Sequence, residues 1–255
     1  MRLALALAPL VLLVACDGGT VAPKDERRVE AKTGFPAADR PVATIVSARW
    51  STEEARDRLN EATEVMDLAG IKPGMTVADI GAGEGYYTIR MAQRVGAKGR
   101  VVAEDIVPDI IEELAKRVVR ERLNNVSVRL GLPADPRLPE GSFDRVLLVH
   151  MYHEIESPYE FLWRLRPSLT ANGQVIVVDA NRPTEHHGTP PTLLKCEFAA
   201  VGYALVSFRP MPSAGGYMAT FGAAGERPEP SAIKACRSGA TAAPIIVEHA
   251  EEPAH

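Results

Sequence analysis

Three glycines at alternate positions carry the clearest chemical signal in this sequence. Gly81, Gly83 and Gly85 follow the short apolar segment 75–80, and apolar residues at helical spacing come after them. Glycine lets the backbone turn sharply and lie against a ligand, where a Cβ atom would clash. The helix that follows points unpaired N–H groups and the positive end of its dipole at that ligand. The pattern predicts the nucleotide-binding turn of a Rossmann-like sheet, suited to an adenine-containing cofactor.

Polar side chains stand at the ends of the predicted strands. Asp79, Asp105, His150 and Asp179 each close an apolar segment. Ligands of parallel sheets bind outside the carboxyl ends of the strands, so we expect these residues to share one crevice. Asp105 is placed to accept hydrogen bonds from both ribose hydroxyls, and the alternative is an acid that caps the next helix. Glu104 should point to the opposite face, because strand side chains alternate.

The elements that position these residues follow from the order of apolar patterns. A helix is predicted over 51–69, and strand and helix then alternate five times between 75 and 201. Two strands, 203–208 and 216–221, close the pattern without a helix between them. Alternation of this kind requires parallel pairing with right-handed crossovers. The sequence therefore predicts an α/β fold with a doubly wound, mostly parallel sheet.

The glycine run departs from the dinucleotide fingerprint G-x-G-x-x-G, because Tyr86 stands where the third glycine would be. The run from Asp79 to Gly85 reads D-x-G-x-G-x-G and resembles motif I of the class I S-adenosylmethionine (SAM) methyltransferases. The acid that closes the second strand and the S-F-D-x-V pattern at 142–146 are similar too. The resemblance covers about residues 45–221 and is closest in kind to bacterial predicted methyltransferases with a Tyr-His motif after strand four. It implies SAM as cofactor and a C-terminal antiparallel strand pair.

The resemblance also implies a set of cofactor-binding residues. In the family, the acid at Asp79 shapes the loop and reaches the amino-acid end of SAM. Asp135 resembles the acid that meets the adenine amino group, and its alternative is an Asp-Pro turn residue. The full set is Asp79, Gly81, Ala82, Gly83, Gly85, Asp105, Asp135 and His150.

A second polar group follows the fourth strand, with the sequence His-Met-Tyr-His-Glu at 150–154. In this superfamily that position faces the sulfonium methyl group and the substrate. Methyl transfer needs alignment, and it needs a base only if the nucleophile must lose a proton. Histidine is the natural base near neutral pH. We predict His153 as the base and Tyr152 as a residue that orients substrate; the alternative is a histidine bound to backbone.

A polar segment after the fifth strand contains residue types that can bind a metal ion. Asp179, Asn181, Glu185 and the adjacent His186 and His187 partly resemble the acids and asparagine that hold magnesium in some methyltransferases. Two adjacent histidines cannot both face one ion from a helix or strand. We therefore expect a solvated loop and no metal.

Composition limits the class of acceptor. The chain has 255 residues, of which 46% are hydrophobic, and its formal net charge is -4. This suits one α/β domain with extensions and gives no basic field for nucleic acid. The sequence has no large insert, so a small-molecule acceptor is expected. It carries no signal for the oligomeric state.

The N-terminus reads as a leader. Arg2 precedes the apolar run 3–15, which is too short to span a membrane and suits a signal peptide. Residues 13–16 resemble the lipobox of bacterial lipoproteins, in which the cysteine, here Cys16, is lipidated. We expect export and a lipid anchor facing the periplasm, or a cytoplasmic protein if the leader does not function. The predicted organisation is a signal peptide at 1–16, a flexible tether at 17–41, a methyltransferase domain at 42–224 and a Pro/Ala-rich tail at 225–255.

Two further features qualify this interpretation. Cys196 and Cys236 could pair outside the cytoplasm, but the sequence does not show whether they are close, and free, partly buried thiols are expected. SAM is made in the cytoplasm, whereas the leader places the domain outside, so a non-catalytic SAM- or nucleotide-binding domain tethered to the envelope is an alternative function. An NAD(P)-dependent oxidoreductase is another, although the missing third glycine and the closing strand pair argue against it.

Overall fold

The structure, a computed structural model, describes residues 34–45 and 52–237. Its helices are α1 (Glu53–Arg58), α2 (Glu61–Leu68), α3 (Tyr86–Val95), α4 (Pro108–Arg120), α5 (Pro158–Leu165) and α6 (Pro191–Ala200). Its strands are β1 (Thr76–Ile80), β2 (Arg100–Asp105), β3 (Val126–Leu130), β4 (Phe143–Val149), β5 (Leu169–Asp179), β6 (Tyr203–Met211) and β7 (Gly216–Ala223).

The strands form one sheet in the order β3-β2-β1-β4-β5-β7-β6. Strands β1 to β5 pair in parallel, whereas β7 runs antiparallel to both β5 and β6. This confirms the predicted fold class, including the C-terminal antiparallel pair. The strand order reverses between β1 and β4, and ligands of open α/β sheets bind at such a point.

The central strands are buried on both faces of the sheet. Val77 in β1, Leu147 in β4 and Val177 in β5 are fully buried. Helices α2 and α3 cover one apolar face, while α5 and α6 cover the other. Strands that are covered on both faces contain runs of apolar residues without alternation, and such runs predict these strands from the sequence. The rigid sheet fixes the strand ends that carry the polar residues.

The helix predicted over 51–69 is divided in two. Asn60 lies between α1 and α2 in the left-handed region, with φ of 58°, which asparagine tolerates better than most residues. The break changes the direction of the chain between Arg56 on α1 and Glu61 on α2. The Arg56 guanidinium consequently reaches back to the Glu61 carboxylate, with an N–O distance of 2.6 Å.

The folded domain extends beyond its predicted limits on both sides. Arg40, placed by the sequence in a flexible tether, is buried and its Nε donates to Glu197 Oε1 at 2.9 Å. Phe35 packs its ring edge against Trp163, and Ile233 is buried in the core. Residues 34–41 and 225–237 therefore pack on the domain. The buried arginine forms a hydrogen bond with the domain, and the apolar side chains of these segments contact its core.

The expectation of two free thiols is wrong, because Cys196 on α6 and Cys236 form a disulfide. Cys16, the leader and most of the predicted tether and tail lie outside the described residues. Within 34–45 and 52–237, no helix is long and apolar enough to cross a membrane.

Candidate functional site

A pocket of about 240 Å³ opens at the carboxyl ends of β1, β2 and β4. Its walls come from the glycine loop after β1, the end of β2, the residues after β4 and the N-terminal helix α1. The polar and glycine residues that line it are Glu53, Arg56, Gly81, Gly83, Glu84, Glu104, Asp105, His150, Glu154 and Glu156. The pocket lies at the reversal of strand order, where the fold predicts a ligand.

The glycine loop needs its glycines for different reasons. Gly81, Gly83 and Gly85 all have positive φ, which disfavours any other residue. A Cβ on Gly81 would lie 3.0 Å from Met151, and one on Gly85 would lie 2.5 Å from Leu114. A Cβ on Gly83 would meet nothing within 4 Å. Gly81 and Gly83 thus expose loop backbone to the pocket, whereas Gly85 allows α4 to pack closely.

Asp105 joins the glycine loop to the start of α4. Its Oδ2 accepts the Gly83 N–H at 3.1 Å, and its Oδ1 accepts the Val107 N–H at 3.0 Å. The carboxylate also lines the pocket. Asp105 therefore holds the glycine loop and Val107, the N-cap residue of α4, in place beside the pocket.

Glu104, the residue before Asp105 on β2, also lines the pocket. Its side chain reaches Gly131, where a Cβ would collide with the carboxyl group. It is 1% exposed, and Oε1 has no hydrogen-bond partner among the described residues. Burial and the neighbouring Asp105 charge raise the pKa of Glu104 to about 8. Glu104 is therefore mostly protonated at neutral pH and can donate a hydrogen bond to a ligand.

A buried ion-pair cluster supports the other side of the pocket. Glu61 accepts hydrogen bonds from Arg56 and from the Tyr87 hydroxyl at 2.9 Å, and His150 Nε2 lies 3.7 Å from its Oε1. Burial alone would raise the pKa of Glu61, but the nearby His150 and the hydrogen-bonded Arg56 guanidinium outweigh it and lower the pKa to about 2. Sequence reasoning did not single out Arg56 or Glu61. The signal that could have found Glu61 is its place beside the apolar residues of an amphipathic helix.

The two predicted catalytic residues lie behind the pocket lining. Tyr152 is fully buried, and its hydroxyl donates to Glu197 Oε2 at 2.7 Å. His153 is 1% exposed, and its Nδ1 lies 3.0 Å from Asp179 Oδ1. Their chain neighbours Met151 and Glu154 line the pocket. The catalytic roles of Tyr152 and His153 stay predictions.

Asp79 and Asp135, both predicted to bind cofactor, also lie outside the lining of this pocket. Asp79 is buried beneath the loop and accepts the Thr88 hydroxyl at 2.6 Å, and burial raises the pKa of Asp79 to about 6. Asp135 closes a turn with Leu132 and accepts the Arg137 N–H at 2.8 Å. The structure thus brings together Gly81, Ala82, Gly83, Asp105 and His150 at the pocket. It leaves Asp79, Gly85, Asp135, Tyr152 and His153 out of the lining.

The pocket suits the cofactor that the resemblance implies. SAM carries a positive sulfonium, and acids outnumber cations among the lining residues. The carboxylates are Glu53, Glu84, Asp105, Glu154 and Glu156, against the guanidinium of Arg56, whereas Glu104 is mostly protonated. The exposed loop backbone and the unpartnered Glu104 Oε1 supply polar contacts, while Ile106, Leu132 and Phe161 supply apolar walls.

Comparisons with known proteins agree with this geometry. A family profile described as a methyltransferase domain matches residues 71–204. Nocamycin O-methyltransferase of Saccharothrix syringae is 41% identical over 85 residues, which are 33% of this chain and 30% of that protein. Other curated methyltransferases are matched over about half of their length.

Solved structures share the fold. A SAM-dependent methyltransferase from Aquifex aeolicus superposes with a TM-score of 0.57 at 20% identity, covering 67% of this chain and 97% of that one. The [4+2]-cyclase SpnF superposes with a TM-score of 0.58 at 16% identity, covering 75% of this chain and 90% of that one. These likenesses show the fold alone.

Proposed function

The chain belongs to the methyltransferase domain family, whose class I members use SAM as methyl donor, and from this we propose that it methylates a small-molecule acceptor. The observation that carries the proposal is the pocket at the reversal of strand order, walled by the glycine loop and by acids. The pocket volume of about 240 Å³ and the net charge of -4 favour a small acceptor over nucleic acid.

The proposed cofactor contacts follow from the walls of the pocket. The backbone of residues 81–83 lies against the bound SAM, and Asp105 accepts hydrogen bonds from the ribose hydroxyls. Glu104, protonated at neutral pH, donates to a polar atom of the cofactor. Asp79 lies beneath the glycine loop and holds it in place through its hydrogen bond with Thr88. The carboxylates around the pocket favour the sulfonium cation.

Methyl transfer itself is an in-line displacement at the sulfonium methyl carbon, for which alignment is the main requirement. An acceptor hydroxyl or thiol must also lose a proton. We assign that activation to His153, whose Nδ1–H is held by the Asp179 carboxylate at 3.0 Å. That hydrogen bond leaves the Nε2 lone pair to accept the proton, and the next residue in the chain, Glu154, lines the pocket.

The test is transfer of a radiolabelled methyl group from SAM to small-molecule fractions of a cell-envelope extract. We expect label in one fraction with wild-type protein and none without it. SAM binding with no transfer to any fraction would overturn the proposal. It would favour the second candidate, a non-catalytic binding domain, or a reaction other than methyl transfer, as the shared fold of the [4+2]-cyclase illustrates.

We also propose that the chain is exported and anchored to the membrane through Cys16. The lipobox-like residues 13–16 support this, and so does the Cys196–Cys236 disulfide, because disulfides persist mainly in oxidising compartments. A lipid anchor on Cys16 predicts that Cys16→Ser moves the protein from the membrane to another fraction and abolishes labelling with radioactive palmitate. Cys196→Ser is the control that should keep the label. Unchanged membrane association and labelling in Cys16→Ser would contradict the anchor.

A further inference from the structure

Three metal-ligating side chains meet beside the pocket, in a combination that the sequence did not suggest. His153 and Glu154 belong to the turn after β4, and His187 belongs to the loop after β5. One ligand atom from each lies within 4.8 Å of the other two. We propose that His153, Glu154 and His187 bind a divalent transition-metal cation, of which Zn²⁺ is the representative.

The orientation of His153 supports a ligand role. The Asp179 carboxylate is fully buried and accepts the Ala180 N–H at 2.8 Å and the Thr189 hydroxyl at 2.7 Å. It lies 3.0 Å from His153 Nδ1, so that nitrogen must donate its proton. The Nε2 lone pair is then available. A carboxylate behind a histidine in this way is the usual support of a metal-bound imidazole.

The loop that carries His187 is held at both ends. The Thr184 hydroxyl donates to the Pro41 carbonyl oxygen at 2.6 Å, and the Thr189 hydroxyl donates to the same carboxylate that orients His153. The two imidazole rings consequently stand edge to face, with centroids 5.5 Å apart and an angle of 87° between planes. The loop therefore places His187 opposite His153.

The ligand set selects the class of cation. Two imidazoles and one carboxylate suit Zn²⁺ and related transition metals, whereas Mg²⁺ and Ca²⁺ prefer oxygen ligands throughout. Zn–N bonds of about 2.0–2.1 Å place tetrahedral ligands about 3.3 Å apart. The ligand atoms would therefore close by about 1.5 Å at most, which rotation of the half-buried Glu154 and His187 side chains can supply.

The metal site would activate the methyl acceptor in the proposed function, and this part of the inference rests on that function. Three protein ligands leave a coordination position for another group, and Glu154 places the ion at the wall of the pocket. An acceptor hydroxyl bound there would release its proton to solvent. Its oxygen would then attack the sulfonium methyl carbon, the C–O bond would form, and the C–S bond would break with its electron pair left on sulfur. The Nε2 lone pair of His153 would then be held by the ion, so His153 would act as its ligand and the ion, in place of His153 as base, would activate the acceptor.

Metal binding is tested without SAM or an acceptor. The untagged full chain, purified in detergent and freed of metal with a chelator, is titrated with Zn²⁺ by calorimetry and with Co²⁺ by visible absorption. We expect one equivalent to bind, with a Co²⁺ spectrum typical of four or five ligands including nitrogen. His187→Ala should weaken binding at least 100-fold, and Asp179→Asn should weaken it about 10- to 100-fold through the orientation of His153.

His186→Ala is the matched control, because His186 is adjacent, exposed and not part of the cluster. It should bind as wild type does. Far-ultraviolet circular dichroism checks that each variant is folded. Failure of the wild-type chain to bind either ion, or equal binding by wild type and His187→Ala, would overturn the inference. Metal binding without methyl transfer would leave the site standing and contradict the proposed function alone.

Discussion

The glycine loop after β1 lines the pocket, and the histidine cluster after β4 and β5 reaches the pocket only through Glu154, but the two regions are built in opposite ways. The loop is local, because three glycines within one turn provide both the positive φ angles and the exposed backbone. The cluster is non-local, since His153 and His187 come from different loops and meet only through Asp179 and Thr189. The first region suits a ligand shared by a whole family. The second can change with a few side chains and is where we place the chemistry of the acceptor.

The largest effect should come from the non-local region. His153→Ala removes the group assigned to acceptor activation, and we expect turnover to fall about 100-fold or more. SAM affinity should stay within about threefold, because His153 does not line the pocket. Steady-state kinetics and calorimetry measure the two quantities. An equal loss of SAM affinity would show that the two regions are not separable, and unchanged turnover would remove His153 from the mechanism.

A substitution in the glycine loop should instead lower the affinity for SAM. Gly81→Ala places a Cβ 3.0 Å from Met151 at a φ of 66°, which distorts the loop. Because the Met151 contact displaces backbone that lies against the cofactor, SAM affinity should fall about 10- to 30-fold, a loss of about 1.4–2 kcal/mol. Gly74→Ala is the matched control, since Gly74 also has positive φ but a Cβ there would meet nothing within 4 Å. If Gly74→Ala weakened SAM binding as much, general backbone strain would be the cause.

The smallest expected effect is on the pH dependence of stability, and we assign it to Glu104. Its pKa is raised from an ordinary value of 4.5 to about 8, so the folded state holds a proton that the unfolded state releases. Stability therefore falls as pH rises from about 4.5 to about 8, and the loss is complete above that range. Glu104→Gln should remove this contribution and raise the midpoint of thermal unfolding at pH 8 relative to pH 5. The same pH dependence in Glu104→Gln as in wild type would contradict the assignment.

The comparison explains which features the sequence predicts. The glycine loop, Asp105 and the sheet follow from local spacing and from alternation of elements, because each is encoded within a short segment. The burial of the Glu104 carboxyl group depends on Gly131 on another segment, where a Cβ would collide with it. The pairing of Arg56 with Glu61 depends on the helix break at Asn60.

Other features need proximity that a single sequence does not encode. Cys196 and Cys236 join segments that pack together only in the folded domain. The metal interpretation weighed from Asp179, Asn181, Glu185, His186 and His187 used residues close in the chain, and the structure leaves Asn181, Glu185 and His186 exposed. It combines His187 instead with two residues that follow a different strand.

Thermal unfolding of the full chain, with SAM, its demethylated product or NAD added, tests most directly that the pocket is a SAM site. A ligand at about 100 times its dissociation constant stabilises the folded state by about 2.7 kcal/mol. For a domain of this size the midpoint should rise by about 5–10 °C. The account predicts that rise with SAM and with its demethylated product, and none with NAD. A rise with NAD alone, or with none of the three, would contradict it.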